Sequence, residues 1–107
     1  MNRKIGYARN NSADALDVQI AKLKTAGCEV VFADVCSENT VERDGLKALL
    51  DELGQGDTIV MEGAERLGRN VLVLQQVVDG IKKRGAEIVS IDGKAIDFSA
   101  CLLEAMG

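Results

Sequence analysis

Short apolar runs alternate with amphipathic stretches along this chain, and no other feature constrains its fold as strongly. Four runs rich in β-branched residues predict strands at residues 4–8, 29–34, 58–61 and 87–91. Three stretches with apolar side chains at helical spacing predict helices at 14–26, 43–53 and 71–84, and a short helix or frayed tail is expected at 99–106. Strands that alternate with helices predict a three-layer α/β/α domain with a mostly parallel sheet of four to five strands.

Length and composition narrow the class further. The 107 residues suffice for one core, so a single domain over 1–107 is expected. The net charge of −4 argues against strong DNA binding by this chain alone, although a local arginine cluster is compatible with it. No apolar run approaches membrane-spanning length and no signal peptide is evident, so a cytoplasmic location without membrane attachment is expected.

The residue types present limit the chemistry. Histidine is absent, and the three cysteines, Cys28, Cys36 and Cys101, are widely spaced and form no CxxC pair. The commonest general base and the commonest zinc-ligand patterns are therefore missing. We expect free thiols, no metal and no cofactor.

Arginines follow two of the predicted strands. Arg9, Asn10 and Asn11 come after the first, and Arg66 and Arg69 come after the third. Because the carboxyl ends of parallel strands share one edge of the sheet, both groups should lie on the same rim. A guanidinium is a permanently charged fork that matches phosphate oxygens, so this rim is a candidate phosphate site.

Six segments, in order, resemble the catalytic domain of serine recombinases, the resolvase/invertase family. They are residues 6–9 (Gly-Tyr-Ala-Arg), 16–19 (Leu-Asp-Val-Gln), 26–28 (Ala-Gly-Cys), 42–46 (Glu-Arg-Asp-Gly-Leu), 56–60 (Gly-Asp-Thr-Ile-Val) and 65–69 (Glu-Arg-Leu-Gly-Arg). The resemblance implies that domain's fold and a role in site-specific DNA recombination. In the family, a serine attacks a DNA phosphodiester and becomes joined to the 5′ phosphate.

The resemblance also implies a set of site residues. Gln19 matches a glutamine near the family's active site, and Glu65 stands where the family has aspartate. The phosphate-contacting arginines of the family match Arg9, Arg43, Arg66 and Arg69. Expected partners are DNA, bound weakly by this chain alone, and either a full-length recombinase or a second copy of the chain.

The family's nucleophilic serine is not in its expected place. Counted forward from Arg9 the position holds Asn11, and counted back from Gln19 it holds Asn10. The nearest hydroxyl, Ser12, is offset by one residue. An amide cannot perform a hydroxyl's nucleophilic attack, so we expect a cleavage-impaired pseudoenzyme, either a regulator or a relic of a mobile element.

The end of the sequence departs from the family as well. The long dimer helix that follows the fourth strand in the family is expected to be nearly absent, and no carboxyl-terminal DNA-binding domain is expected. We therefore expect this chain to lack both elements.

Several alternatives remain open from the residues alone. Ser12 suits an N-cap as well as a displaced nucleophile, which would make the chain a live recombinase fragment. Asn10 and Asn11 suit a tight turn with unusual backbone angles. Arg43 could simply begin a helix, and Gln19 could be a surface residue. A phosphate- or nucleotide-binding domain of flavodoxin-like topology, or a protein-interaction module, would also fit the alternation.

Overall fold

The computed structural model describes residues 3–37, 40–63 and 70–96. In these ranges, the elements in chain order are β1 (Lys4–Asn10), α1 (Ala13–Thr25), β2 (Val30–Val35), α2 (Asp44–Glu52), β3 (Thr58–Met61), α3 (Val71–Arg84) and β4 (Glu87–Ser90). The predicted elements within these ranges are all present, with ends that agree or differ by at most two residues. The terminal helix or tail predicted at 99–106 lies outside the described residues.

The first strand is two residues longer than predicted. Its neighbour β2 pairs with it as far as Asn10 opposite Val35, and this pairing holds Arg9 and Asn10 in extended conformation. Both residues therefore belong to the end of β1 and do not follow it. The fourth strand ends at Ser90, one residue earlier than predicted.

The sheet is parallel and its strand order is β2-β1-β3-β4. The chain moves outward from β1 to β2, then returns to the other side of β1 for β3 and β4. The strand order thus reverses between β1 and β3, where open α/β sheets place their binding crevices, beyond the carboxyl ends of the strands.

Helices cover both faces of the sheet, as the alternation predicted. On one face, α1 packs through Leu16 and Leu23 against a small cluster that includes Ala8 and Val60. On the other face, α2 and α3 bury the larger core, which contains Ile5, Tyr7, Leu46, Leu49, Leu53, Ile59, Met61, Val73, Leu74, Val77 and Ile88. Side chains alternate along a strand, so residues 5 and 7 of β1 face the larger core and residues 6 and 8 face α1.

The edge of the sheet opposite the strands' carboxyl ends is fixed by a buried carboxylate. Asp57 is 1% exposed and accepts hydrogen bonds from the backbone N–H groups of Arg3 (3.1 Å) and Gly54 (2.9 Å). The Arg3 guanidinium donates to Asp57 Oδ2 at 3.0 Å, and this bond is the main reason why the pKa of Asp57 falls to about 2.

None of the helices in the described part of the chain has the length and apolar character that a membrane span requires.

Candidate phosphate site at the carboxyl edge of the sheet

Arg9 lies at the end of β1 and is almost completely buried. Its side chain is 8% exposed. One guanidinium nitrogen, Nη1, donates to the backbone carbonyl of Cys36 at 2.9 Å and to Oδ1 of Asn11 at 3.4 Å. These contacts follow from the parallel register, which sets Arg9 beside Asp34 and brings the residues just after β2 within reach. The guanidinium is therefore held at the carboxyl edge of the sheet, with Asn11 as a direct partner.

The turn between β1 and α1 is built by side-chain hydrogen bonds. Asn10 Oδ1 accepts from the backbone N–H of Ser12 at 3.1 Å, and Ser12 Oγ accepts from the N–H of Ala15 at 3.5 Å, which makes Ser12 the N-cap of α1. Among the described residues, no residue other than glycine has a positive φ. The interpretation that Asn10 and Asn11 supply unusual backbone angles is therefore wrong, because the turn closes through the Asn10 side chain instead.

Gln19 lies on the buried face of α1. It is 4% exposed and falls between Leu16 and Leu23, which both pack against the sheet. The interpretation of Gln19 as a plain surface residue is therefore wrong. Its position three residues after Leu16 and four before Leu23 already placed it on the helix's apolar stripe.

Arg43 is the N-cap residue of α2 and is 4% exposed. Its carbonyl accepts the N–H of Lys47 at 3.0 Å, the first helical bond, while its side chain makes no capping bond. Instead, Nε donates to the carbonyl of Thr40 at 2.8 Å. Arg43 thus begins the helix, as one interpretation held, but its guanidinium is folded into the protein and does not extend into solvent.

The residue that caps α2 is Asp34 from β2, which the sequence analysis did not single out. Asp34 Oδ1 accepts from the N–H of Gly45 at 2.8 Å, and Oδ2 accepts from the N–H of Leu46 at 3.0 Å and from the hydroxyl of Tyr7 at 2.8 Å. A Cβ at Gly45 would lie 2.5 Å from the carbonyl oxygen of Ala33, so only glycine allows the helix to start this close to the strand. The available signal was an aspartate at the end of a predicted strand next to the strand that carries Tyr7.

Burial and charge keep the Tyr7 hydroxyl protonated. Its side chain is fully buried, and burial is the main reason why the pKa of Tyr7 is raised, with a further contribution from the Asp34 carboxylate. Arg43 opposes this shift by a hydrogen-bonding contact and by its positive charge. Tyr7, Asp34 and Arg43 therefore form one electrostatic group, in which Tyr7 acts as a donor to Asp34.

An ion pair joins α1 to the residue that follows β3. Lys22 Nζ lies 3.7 Å from Glu62 Oε1.

The remaining predicted site residues, Glu65, Arg66 and Arg69, lie outside the described residues. Within residues 3–37, 40–63 and 70–96, no group of three or more acidic or cysteine side chains could hold a metal ion.

Comparison with known proteins identifies the family. The family profile described as "Resolvase, N terminal domain" matches residues 4–106. The chain is 39% identical over 97 residues to the serine recombinase gin of Escherichia phage Mu, covering 90% of this chain and 50% of that protein. It is 39% identical over 94 residues to the integrase-like protein y4lS of Sinorhizobium fredii, covering 86% of this chain and 51% of that one. The chain thus spans about half the length of the curated relatives it matches.

A solved structure agrees with this assignment. The crystal structure of a serine recombinase from Sulfolobus solfataricus superposes with a TM-score of 0.70 at 26% identity, covering 99% of this chain and 78% of that one. The three-layer fold predicted from the alternation is confirmed, and so is the family predicted from the motifs. The chain belongs to the resolvase family of serine recombinases, and residues 4–106 are its resolvase N-terminal domain.

Proposed function

We propose that this chain is a cleavage-impaired recombinase domain that binds the DNA phosphate backbone and acts in site-specific recombination through a complete recombinase or a second copy. The observation that carries the proposal is the contact between Arg9 and Asn11. The side chain at the nucleophile's expected position is an amide, and it accepts a hydrogen bond from the arginine at the end of β1. An asparagine that is built into the site in this way binds and does not attack.

The loss of cleavage rests on the chemistry of two side chains. An asparagine amide has no ionisable hydroxyl and cannot form the covalent ester that a serine forms with phosphate. The Ser12 hydroxyl is offset by one residue and caps α1. Because phosphoryl transfer requires in-line placement, and a misplacement of about 1 Å can lower the rate about 100-fold, Ser12 is a poor substitute.

Phosphate binding rests on the arginines held at this edge. Arg9 and Arg43 are both more than nine-tenths buried and donate to backbone carbonyls, so their charges are fixed before any ligand arrives. Cations that are fixed in this way bind phosphate oxygens without paying for their own ordering. The exposed Asn11 amide carries two further N–H donors beside Arg9.

The need for a partner follows from charge. A net charge of −4 weakens attraction to DNA beyond the local site. Two of the relatives are named as a serine recombinase and a DNA-invertase, which favours DNA as the ligand. A complete recombinase or a second copy bound to the same DNA would add phosphate contacts to those that one copy makes.

Binding is tested with a labelled random-sequence DNA duplex, titrated with the chain at several salt concentrations below 0.1 M. We expect weak binding, with a logarithm of the association constant that falls linearly as the logarithm of the salt concentration rises. The magnitude of this slope should decrease by about 0.9 for each phosphate contact that a substitution removes. Arg9→Ala should lower both affinity and slope. Arg84→Ala is the matched control, because its Nη1 also donates to backbone carbonyls, Asp51 and Leu53, at the opposite edge of the sheet. Equal losses in both variants would contradict a phosphate site at the carboxyl edge.

Cleavage is tested on a denaturing gel with a duplex that carries a cognate recombination site. We expect no covalent adduct between the wild-type chain and DNA, because no serine stands at the nucleophile's position. An adduct that forms with the wild type and disappears in Ser12→Ala would overturn the proposal and identify Ser12 as a working nucleophile. Asn11→Ser and Asn10→Ser are tested beside it. They report whether a serine hydroxyl at either candidate nucleophile position restores attack on the DNA phosphodiester.

A further inference from the structure

We propose that Asn11 is a deamidation site: its side-chain amide converts spontaneously to a carboxylate, and the new negative charge beside Arg9 lowers phosphate binding at this edge. The conversion is a property of the chain by itself. Only its effect on DNA rests on the proposed function.

The place of Asn11 in the fold exposes it to this reaction. β1 ends at Asn10 and α1 begins at Ala13, so Asn11 and Ser12 alone connect the two elements, and both are exposed to solvent. Asparagine is a labile residue because the backbone nitrogen of the next residue can attack its side-chain amide carbon. The attack is easiest outside helices and strands and before a small residue. Ser12 is small and not β-branched, so it leaves room for the attack.

The reaction consumes only water. The backbone nitrogen of Ser12 forms a bond to Cγ of Asn11 and gives up its proton to solvent, while the side-chain nitrogen leaves as ammonia. Water then opens the resulting succinimide ring at either carbonyl, which yields aspartate or isoaspartate. A neutral amide is thus replaced by a carboxylate.

The Arg9 guanidinium favours the attack. Its Nη1 donates to Oδ1 of Asn11 at 3.4 Å, and this oxygen is the atom that becomes negative when the carbon is attacked. The donor is held in place, because Nη1 also donates to the Cys36 carbonyl at 2.9 Å and the side chain is buried. A fixed positive charge therefore lies beside the group that reacts.

One contact restrains the reaction. The N–H of Ser12, whose nitrogen must attack, donates to Oδ1 of Asn10 at 3.1 Å. Because this bond must open before the nitrogen can reach Asn11, conversion is slow while the turn is closed. The bond lies at the exposed surface, where a single hydrogen bond opens readily.

Two other asparagines are better protected. Asn70 accepts from two N–H groups at the start of α3, at 2.9 and 3.4 Å, and the next residue is the β-branched Val71. Asn10 is held in extended conformation by its pairing with Val35. Asn11 should therefore convert faster than either.

The product alters the site because of where its charge lies. Nη1 of Arg9 is 3.4 Å from the oxygen that becomes part of the carboxylate, so the two groups form an ion pair. The guanidinium is then neutralised, the N–H donors of the Asn11 amide are lost, and the carboxylate repels a phosphate. Phosphate binding at this edge therefore has a limited lifetime.

The test without DNA is peptide mapping by mass spectrometry of the purified chain, incubated for days at mildly alkaline pH. Exchange of the amide nitrogen for oxygen raises the mass of a peptide, and fragmentation assigns the change to one asparagine. We expect Asn11 to convert about tenfold faster than Asn70, because Asn70 has more hydrogen bonds to break and a bulkier neighbour. Asn10 should be similarly slow.

Two variants test the route of attack. Ser12→Thr keeps a hydroxyl that can cap α1 but adds a branch next to the attacking nitrogen, so conversion of Asn11 should slow about threefold. Asn10→Ala removes the bond that holds the Ser12 N–H, so conversion should accelerate about fivefold. A rate at Asn11 no higher than at Asn70, or unchanged in both variants, would overturn the inference.

The DNA titration distinguishes the two proposals. Asn11→Asp reproduces the product and should lower the magnitude of the salt slope by about one contact, as Arg9→Ala does. Gln55→Glu is the matched control, because it adds the same charge on an exposed residue beside Gly85, at the opposite edge of the sheet, and it should leave the slope unchanged.

The two proposals fail in different ways. Binding that is unchanged in Asn11→Asp but lost in Arg9→Ala overturns the effect of deamidation and keeps the phosphate site. Binding that is unchanged in Arg9→Ala overturns the phosphate site together with its loss on deamidation, whereas the mass spectra alone decide whether Asn11 deamidates.

Discussion

Gly45→Ala should be among the most destabilising single-methyl changes in this chain. The new Cβ would lie 2.5 Å from the Ala33 oxygen, whereas carbon in ordinary contact lies at about 3.5 Å, so α2 and β2 would have to separate by roughly 1 Å. That separation lengthens the two bonds from Gly45 and Leu46 to Asp34, now 2.8 and 3.0 Å, beyond hydrogen-bonding distance. Overpacking costs about 1–3 kcal/mol and a lost cap about 1 kcal/mol, and alanine's better helix propensity returns about 1 kcal/mol at most.

The expected net loss in the free energy of unfolding is therefore about 1–3 kcal/mol, which is a drop of roughly 5–20 °C in Tm for a chain of this size. Urea unfolding followed by circular dichroism measures it directly. Gly80→Ala is the control, because its Cβ would meet Leu50 Cδ2 at 2.9 Å, the end of a flexible side chain that can rotate away. Gly80→Ala should stay within about 1 kcal/mol of the wild type. Equal stability of the two variants would refute the idea that backbone contact holds α2 in place.

Three further outcomes are expected. The Arg3 hydrogen bond holds the pKa of Asp57 at about 2, below the ordinary aspartate value of 3.8, so the ionised carboxylate stabilises the fold above pH 3.8 and this stability is lost as the pH falls toward 2. The urea midpoint should fall over this pH range, and the fall should be smaller in Asp57→Asn. Ser12→Ala should cost about 0.5–1 kcal/mol in urea unfolding, near the low end for an N-cap since its bond is 3.5 Å long, and should leave DNA affinity unchanged. Burial raises the pKa of the Cys28 thiol, so a thiol reagent at pH 7 followed by peptide mass mapping should label Cys28 more slowly than the less buried Cys36.

The fold was predictable because its signals are local. Each strand and helix is marked by its own periodicity, and alternation alone favours a parallel sheet. The end of β1 was not predictable in this way. Asn10 has a weak strand propensity, and it is extended because Val35 of β2 pairs with it. Pairing between strands thus decided a boundary that propensity placed two residues earlier.

The site was predictable where one residue type carries the chemistry and not where residues act together. Arg9 stood out because a single arginine after a strand already suggests an anion. Asp34 did not, because its role depends on Tyr7, 27 residues away, and on the helix start 11 and 12 residues further along. A carboxylate that caps a helix from another element leaves no local motif, unlike Ser12, which stands directly before the helix it caps.

The capping pattern also bears on how an anion could be recognised at this edge. Helix N-termini with free N–H groups are the usual phosphate sites of α/β folds. Here each of the three described helices already has side-chain oxygens at its N-terminus: Ser12 Oγ for α1, Asp34 for α2, and Asn70 Oδ1, which accepts from Leu72 at 2.9 Å and Val73 at 3.4 Å, for α3. The Asp34 carboxylate also adds a negative charge that a phosphate would have to displace or avoid. Within the described residues, we therefore expect an anion at this edge to be recognised mainly by arginine side chains, which suit the repeated phosphates of a DNA backbone better than a single free nucleotide.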